Sequence, residues 1–409
     1  MAQRKGAVQQ LATSRKLLLA VILAGVVLVM ISAIRFQSPE LLGQAKVLTD
    51  FDAFHIAGRL AAQGRAADAY NVSTLLQVQR EMSGTQSFMP WTYPPPFTLA
   101  MQYLAGLPIG AAFVFFALST FAFYLWVLHR IAGKWLPAVV IAVMPAIVLN
   151  LRTGQNGFLI AGLIGWFLLA FRDKRVIAGL PLGLLVIKPH LAAGVGLITL
   201  LQRRWVLLGW AGLIGLTLLA LSTWIYGISI WMDFRNAVGE AGGFLARGYY
   251  PLFRMNSIFA AAYTFGLGAT AAMAMQIAGA LFALGLLIKA SRSRIAYHHL
   301  AALTCLASLF VSPYGYDYDL TILGVALAFI VPDLLERCSG LELWVLLLLT
   351  WFVCGYGIGW NTAMAVSQPN TGVSLDQESS GLSLIAPVLA LLCWALTRIL
   401  WRQRAEGES

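Results

Sequence analysis

Charge is what this chain of 409 residues has least of: 11% of it is Asp, Glu, Lys or Arg, against 59% hydrophobic residues. Soluble domains carry about 25% charged residues, so burial in hydrocarbon accounts for this composition better than a soluble core does. Cysteine is scarce as well. Cys305, Cys354 and Cys393 lie inside apolar runs and Cys338 in a short polar connection, so no pair shares an exported loop. That excludes a disulfide framework, and no zinc-ligand spacing of cysteines is present. Long polar segments are missing too, which leaves a single domain over 1–409 with short tails at 1–16 and 400–409. Neither G-x-x-x-x-G-K-[ST] nor G-x-G-x-x-G on a βα unit occurs, so no nucleotide site is expected.

What the chain does have is a net charge of +11. The basic residues fall in short clusters between apolar runs, a distribution that orients membrane helices and argues against a nucleic-acid partner. The first run, Leu17 to Ile34, follows Arg15 and Lys16 and is followed by no A-x-A site, so a retained helix with a cytoplasmic N-terminus is expected. Further runs near 97–128, 135–151, 157–171, 176–187, 191–201, 205–226, 268–288, 296–311, 320–331, 342–360 and 382–399 predict an all-α polytopic membrane protein with about 10–12 transmembrane helices. Those around Lys188 and at 320–331 are short for a full span, and so read as tilted, broken or re-entrant. Alternating the spans puts 18 of the 28 Lys and Arg inside, which places both termini in the cytoplasm and the long loops 36–96 and 227–256 outside.

Five polar or proline-marked stretches interrupt the apolar pattern, and this topology sends all five to the non-cytoplasmic face. In "DFDAFH", Asp50 and Asp52 stand at or near a helix start, either as caps or with one of them as the base that takes a proton from an acceptor hydroxyl. At i and i+2 they point about 200° apart, so one catalytic acid is expected and one structural. His55 follows them. In "PWTYPPP", three prolines predict a rigid extended loop whose Trp91 and Tyr93 are either stacking faces for sugar or interfacial anchors. In "RTGQNG", Arg152, Gln155 and Asn156 offer polar groups for sugar hydroxyls or for the ends of two helices.

In "IKPHL", Lys188 lies between two short apolar runs, where a cation costs a few kcal/mol, so an anionic partner is expected. A lipid phosphate, with His190 assisting, is the partner read here. In "SPYGYDYDL", Tyr316, Asp317 and Asp319 are caps, sugar contacts or cation ligands, although two carboxylates alone do not make a metal site. Arg247 and Arg254 in the second outer loop are candidates for gripping a phosphate.

The order "DFDAFH", "PWTYPPP", "GQNG", "IKPH" and "SPYGYDYDL" resembles glycosyltransferase family 87, from about Leu48 to Leu335. The resemblance implies a GT-C type fold in a bacterial cytoplasmic membrane. It also implies a hexose donor, mannose for example, carried on polyprenyl phosphate. Transfer would be inverting, to a lipid or glycan acceptor on the periplasmic or extracellular face, without a cofactor. The family's base maps to Asp50, with Asp52 second, and "IKP" matches its Lys-Pro pattern. "YGYDYDL" departs from the histidine-rich ending of mannosyltransferase members, which leaves donor sugar and acceptor unassigned. The competing readings are a transporter or flippase for a lipid-linked glycan, and a scaffold.

Overall fold

The computed structural model describes residues 10, 12–43, 46–84, 88–367 and 381–401, so the ends of both expected tails lie outside the described residues. The chain is a bundle of helices: α1 Arg15–Gln37, α2 Asp50–Ala62, α3 Ala66–Tyr70, α4 Val72–Ser83, α5 Pro95–Leu104, α6 Ile109–Ala132, α7 Leu136–Ala142, α8 Met144–Thr153, α9 Gly157–Arg172 and α10 Gly179–Leu184. There follow α11 Ala193–Leu201, α12 Trp205–Tyr226, α13 Ile230–Ala246, α14 Ile258–Thr264, α15 Ala269–Ser291, α16 Tyr297–Leu309, α17 Thr321–Arg337, α18 Gly340–Ser367 and α19 Ile385–Leu400. Among the described residues there is no strand, and one isolated bridge joins Met255 to Tyr316.

Among the described residues, six helices are long and apolar enough to cross a membrane, and four shorter apolar ones accompany them. The protein is a multi-pass membrane protein. Burial separates the six. The Asp317–Arg337 segment has 83% of its apolar window buried, whereas Trp205–Tyr226 and Ala269–Ser291 have 11% and 22%. The first is therefore the centre of the bundle, packed against α6, α9 and α16. The other two turn side chains such as Leu216, Trp224 and Phe282 outward, as lipid-facing helices do.

Local sequence explains the interruptions. The run at 97–128 is two helices because Pro108 caps α6 and leaves a turn after α5. The three prolines of "PWTYPPP" do not all extend the loop, since Pro94 is the N-cap of α5 and Pro95 and Pro96 form its first turn. Their missing N–H groups would be unpaired there in any case, and their fixed φ already suits a helix. The 176–201 stretch is broken as expected: α10 runs into a 3-10 turn, Lys188 leaves helical geometry at φ −149°, ψ 66°, and a second 3-10 turn starts at Pro189. The run at 320–331 differs from its reading as a short span, because helix continues through Pro332 and Asp333 to Arg337. Both long loops carry helices, α2 to α4 in one and α13 in the other.

Candidate functional site

Helix α2 starts with two acids in different situations. Asp52 sits on the inner face of the first turn, where its Oδ2 accepts from the Thr49 backbone N–H at 2.8 Å and from the Thr49 hydroxyl at 3.1 Å. Its Oδ1 lies 2.7 Å from Lys46 Nζ, which also donates to the Phe36 carbonyl at 2.9 Å. Asp52 is thus a buried cap with its own counter-ion. Asp50, two residues earlier, is half-buried and makes no hydrogen bond or ion pair with another described residue.

Around Asp50 the separate stretches converge. Its charge acts on Tyr93, Arg254, Tyr316, Asp317 and Tyr318. The Tyr93 hydroxyl donates to Gln155 Oε1 at 3.3 Å. Burial first, then the charges of Asp319 and Asp50, push that hydroxyl well above the usual phenol range, so it remains a neutral donor. Gln155 also accepts from the backbone N–H of Asn156 at 3.0 Å, and both residues are buried behind the Gly154 turn. Gly154 has φ +67°, and a Cβ there would meet Phe113 and Phe51 at 2.9 Å, so both backbone and packing require glycine.

The Asp317–Leu320 turn, packed on α8, α9 and α18, forms the opposite wall. Asp317 accepts twice from Arg254, Nε to Oδ2 at 3.1 Å and Nη2 to Oδ1 at 3.0 Å. Burial works against this guanidinium, but the charges of Asp317 and Asp50 overcome it and hold Arg254 above its usual value. Space for the pair comes from Gly357 of α18, where a Cβ would collide with Asp317 Oδ2 and lie 3.2 Å from Arg254 Cγ. Asp319 accepts from Lys188 Nζ on Oδ1 at 2.6 Å and from the Tyr316 backbone N–H on Oδ2 at 3.2 Å. The rings of Tyr316 and Tyr318 stack 5.3 Å apart, and each has its own cation, Arg254 at 5.7 Å and Lys188 at 4.7 Å. Asn150, donating to the Tyr318 carbonyl at 3.0 Å, ties the turn to α8.

Lys188 does have the anionic partner that its position demands, and that partner is Asp319 of the same chain in place of a bound phosphate. His190 lies beside it with a buried Nε2 that has no hydrogen-bond partner among the described residues.

The remaining candidates lie elsewhere. Trp91 is 2% exposed, stacked on Phe97 and donating to the Thr98 hydroxyl at 3.0 Å, so it is a core residue and neither an open sugar wall nor an interfacial anchor. His55 Nε2 bonds the Leu107 carbonyl at 3.1 Å and lines a separate cavity of about 610 Å³ with Lys46, Arg59 and Glu40. Arg152 turns outward, its charge felt by Arg35, while its neighbours Gln155 and Asn156 turn inward. Arg247 is exposed and lies over the rings of Phe244 and Tyr249, at 5.5 and 5.2 Å. Sequence reasoning passed over Gly357, which no polarity or proline marks.

The cluster thus offers one unengaged carboxylate, a bidentate cation and acid pair, and neutral tyrosine and amide donors. A family model for glycosyltransferase family 87 matches residues 91–313. The chain belongs to glycosyltransferase family 87. No curated protein and no solved structure matches it. Membership makes the chain a membrane glycosyltransferase, with an all-α polytopic fold of the GT-C type, that uses a sugar donor and an acceptor. The match takes in Tyr93, Gln155, Asn156, Lys188 and Arg254, whereas Asp50, Asp317 and Asp319 lie beyond its ends.

Proposed function

We propose that this glycosyltransferase moves a hexose from a polyprenyl-phosphate donor to a lipid or glycan hydroxyl on the outer face of a bacterial cytoplasmic membrane, with Asp50 as the base. The observation that carries the reading is the contrast between two acids two positions apart. Asp52 is fully occupied as cap and counter-ion, while Asp50 is half-exposed and unengaged beside a cluster of the chain's polar stretches.

In this reading the acceptor oxygen attacks the anomeric carbon as its proton passes to a carboxylate oxygen of Asp50. The bond from that carbon to the phosphate oxygen breaks, and its electron pair leaves with polyprenyl phosphate. Attack opposite the leaving group inverts the anomeric centre. Phosphate leaves as a stable anion, so one base suffices and no acid is required. Arg254 keeps guanidinium donors beyond the two that hold Asp317, and in this reading they receive the departing phosphate. Arg247, exposed on its aromatic bed, meets the donor headgroup at the rim. Tyr93, Gln155, Asn156 and Tyr316 address sugar or acceptor hydroxyls. Lys188 and Asp319 brace the wall.

The test is transfer of labelled hexose from a panel of polyprenyl-phosphate sugars to membrane lipids and glycans, with purified protein in lipid discs. Transfer is expected from one donor, abolished by Asp50→Asn while donor binding persists. Movement of lipid-linked glycan between leaflets, with no transfer from any donor, would establish the flippase reading and end this one.

A further inference from the structure

At the end of α17 away from Asp317, three side chains from two helices meet at one point. His298 and His299 stand in the first turn of α16, and Asp333 stands one residue after the internal Pro332 of α17. Nε2 of His298 lies 2.8 Å from Asp333 Oδ2, and Nε2 of His299 lies 2.7 Å from the same oxygen. The imidazole centroids are 4.2 Å apart with planes at 63°, so the rings converge without stacking face to face. Consecutive helical residues point about 100° apart, which makes convergence of both on one oxygen an imposed arrangement. Neither the Lys188–Asp319 nor the Arg254–Asp317 ion pair involves these residues, and helical rise up to Asp333 puts them roughly 25 Å from Asp317.

We propose that His298, His299 and Asp333 bind a divalent transition metal, zinc by preference, that clamps α16 to α17. Two imidazole nitrogens and one carboxylate oxygen are a donor set that zinc accepts, and a fourth position stays open to water. The three ligand atoms lie within 4.8 Å of one another. In a tetrahedral site with zinc bonds of about 2.0–2.2 Å, neighbouring ligand atoms stand roughly 3.4 Å apart, so each nitrogen has to withdraw from the oxygen by about 0.6–0.7 Å. His298, the most exposed of the three, leaves an entry path, its side chain being 41% exposed.

Two neighbours oppose a cation: Arg337, whose charge reaches His299, and the N-terminal end of α16 itself. Arg337 is engaged elsewhere too, with Nη1 donating to the Leu400 carbonyl at 2.6 Å. The full charge of Asp333 stands closer to the ion than either. Cysteine spacing gives no warning of such a site, because its ligands are two adjacent histidines and an acid on the next helix.

The experiment uses the full-length protein in lipid discs, free of any histidine tag, titrated with Zn²⁺ alone against a chromophoric chelator. One Zn²⁺ per chain is expected, with a rise in melting temperature on binding. The double variant His298→Gln/His299→Gln and the single variant Asp333→Asn should each lose both effects. Gln and Asn retain hydrogen-bonding groups, and circular dichroism without metal confirms that each variant folds. Substituting Co²⁺ in the wild type and reading its visible absorption reports tetrahedral nitrogen and oxygen ligation independently of any variant. Equal Zn²⁺ stoichiometry and equal thermal shift in wild type and double variant overturn the proposal, as does the absence of any bound Zn²⁺ in the wild type. Glycosyl transfer is not the readout, so the result stands apart from the assignment of Asp50.

Discussion

Lys188 Nζ donates to Asp319 Oδ1 across 2.6 Å, and the two side chains are 6% and 0% exposed. A pair buried this deeply is costly to break from one side, because the abandoned charge keeps its desolvation penalty. Removing both charges together is far milder. Lys188→Met and Asp319→Asn alone should each destabilise the protein by about 3–5 kcal/mol, and the double variant should recover more than half of that loss. Thermal melting in lipid discs measures it. A double variant that melts as low as Lys188→Met would mean that Lys188 is balanced by something other than Asp319.

The second pair is poised differently, since Arg254 and Asp317 share two hydrogen bonds and depend on the bare backbone of Gly357 for room. Gly357→Ala places a methyl group against Asp317 Oδ2 and forces the pair apart. Transfer should fall by roughly 10²-fold, the scale of losing one oriented charge-stabilising donor, while the fold survives. Arg254→Lys should fall comparably, because an ammonium cannot hold the carboxylate bidentately and still offer donors to a phosphate. Initial rates at saturating donor decide both. A Gly357→Ala enzyme of normal rate would remove Arg254 from the reaction.

Much of this arrangement could be read before any fold was known. The five interrupting stretches were visible because proline, glycine and charge stand out against apolar sequence, and four of them meet in pairs by direct contact: Tyr93 with Gln155, and Lys188 with Asp319. The partners were not visible. Hydrophobic cost requires an anion for Lys188, yet nothing local shows that it comes from 131 positions away in the same chain. The proline triplet misled in a specific way, since its missing donors exclude a helix interior but suit a helix start. Trp91 was equally ambiguous, because an aromatic beside prolines serves a wall, an anchor or a core equally well until its neighbours are known.

Asp52 should reveal itself through stability. Its carboxylate closes the first turn of α2 and balances Lys46. Asp52→Asn retains an oxygen for Thr49 but leaves Lys46 without its counter-ion, and should cost about 1–3 kcal/mol. Asp50→Asn, unengaged, should melt within about 0.5 kcal/mol of wild type, as substitutions away from specific contacts do. Melting curves for the two variants should therefore rank opposite to their transfer rates. Equal stability of the pair would dissolve the distinction on which the choice of base rests.

His55 gives the α2 region a pH dependence of definite sign. Burial is the main cause holding its imidazole below the usual value, with Arg59 and Lys46 adding to the effect and the Leu107 carbonyl and Asp52 opposing it. The carbonyl can only accept, so Nε2 carries a proton. A histidine depressed in the folded state takes up its proton more readily when unfolded. Its contribution to stability is therefore whole above the unfolded value of about 6.5 and is lost as pH falls from there toward the folded value, by up to about 1.4 kcal/mol per pH unit. His55→Gln keeps an N–H for Leu107 and does not titrate. Melting temperatures followed from about pH 7.5 to about pH 5 should fall more steeply for wild type than for His55→Gln, the difference opening only below about 6.5. Parallel curves would show that the ring accepts its proton as easily folded as unfolded, and that the cavity beside Leu107 is wetter than its lining implies.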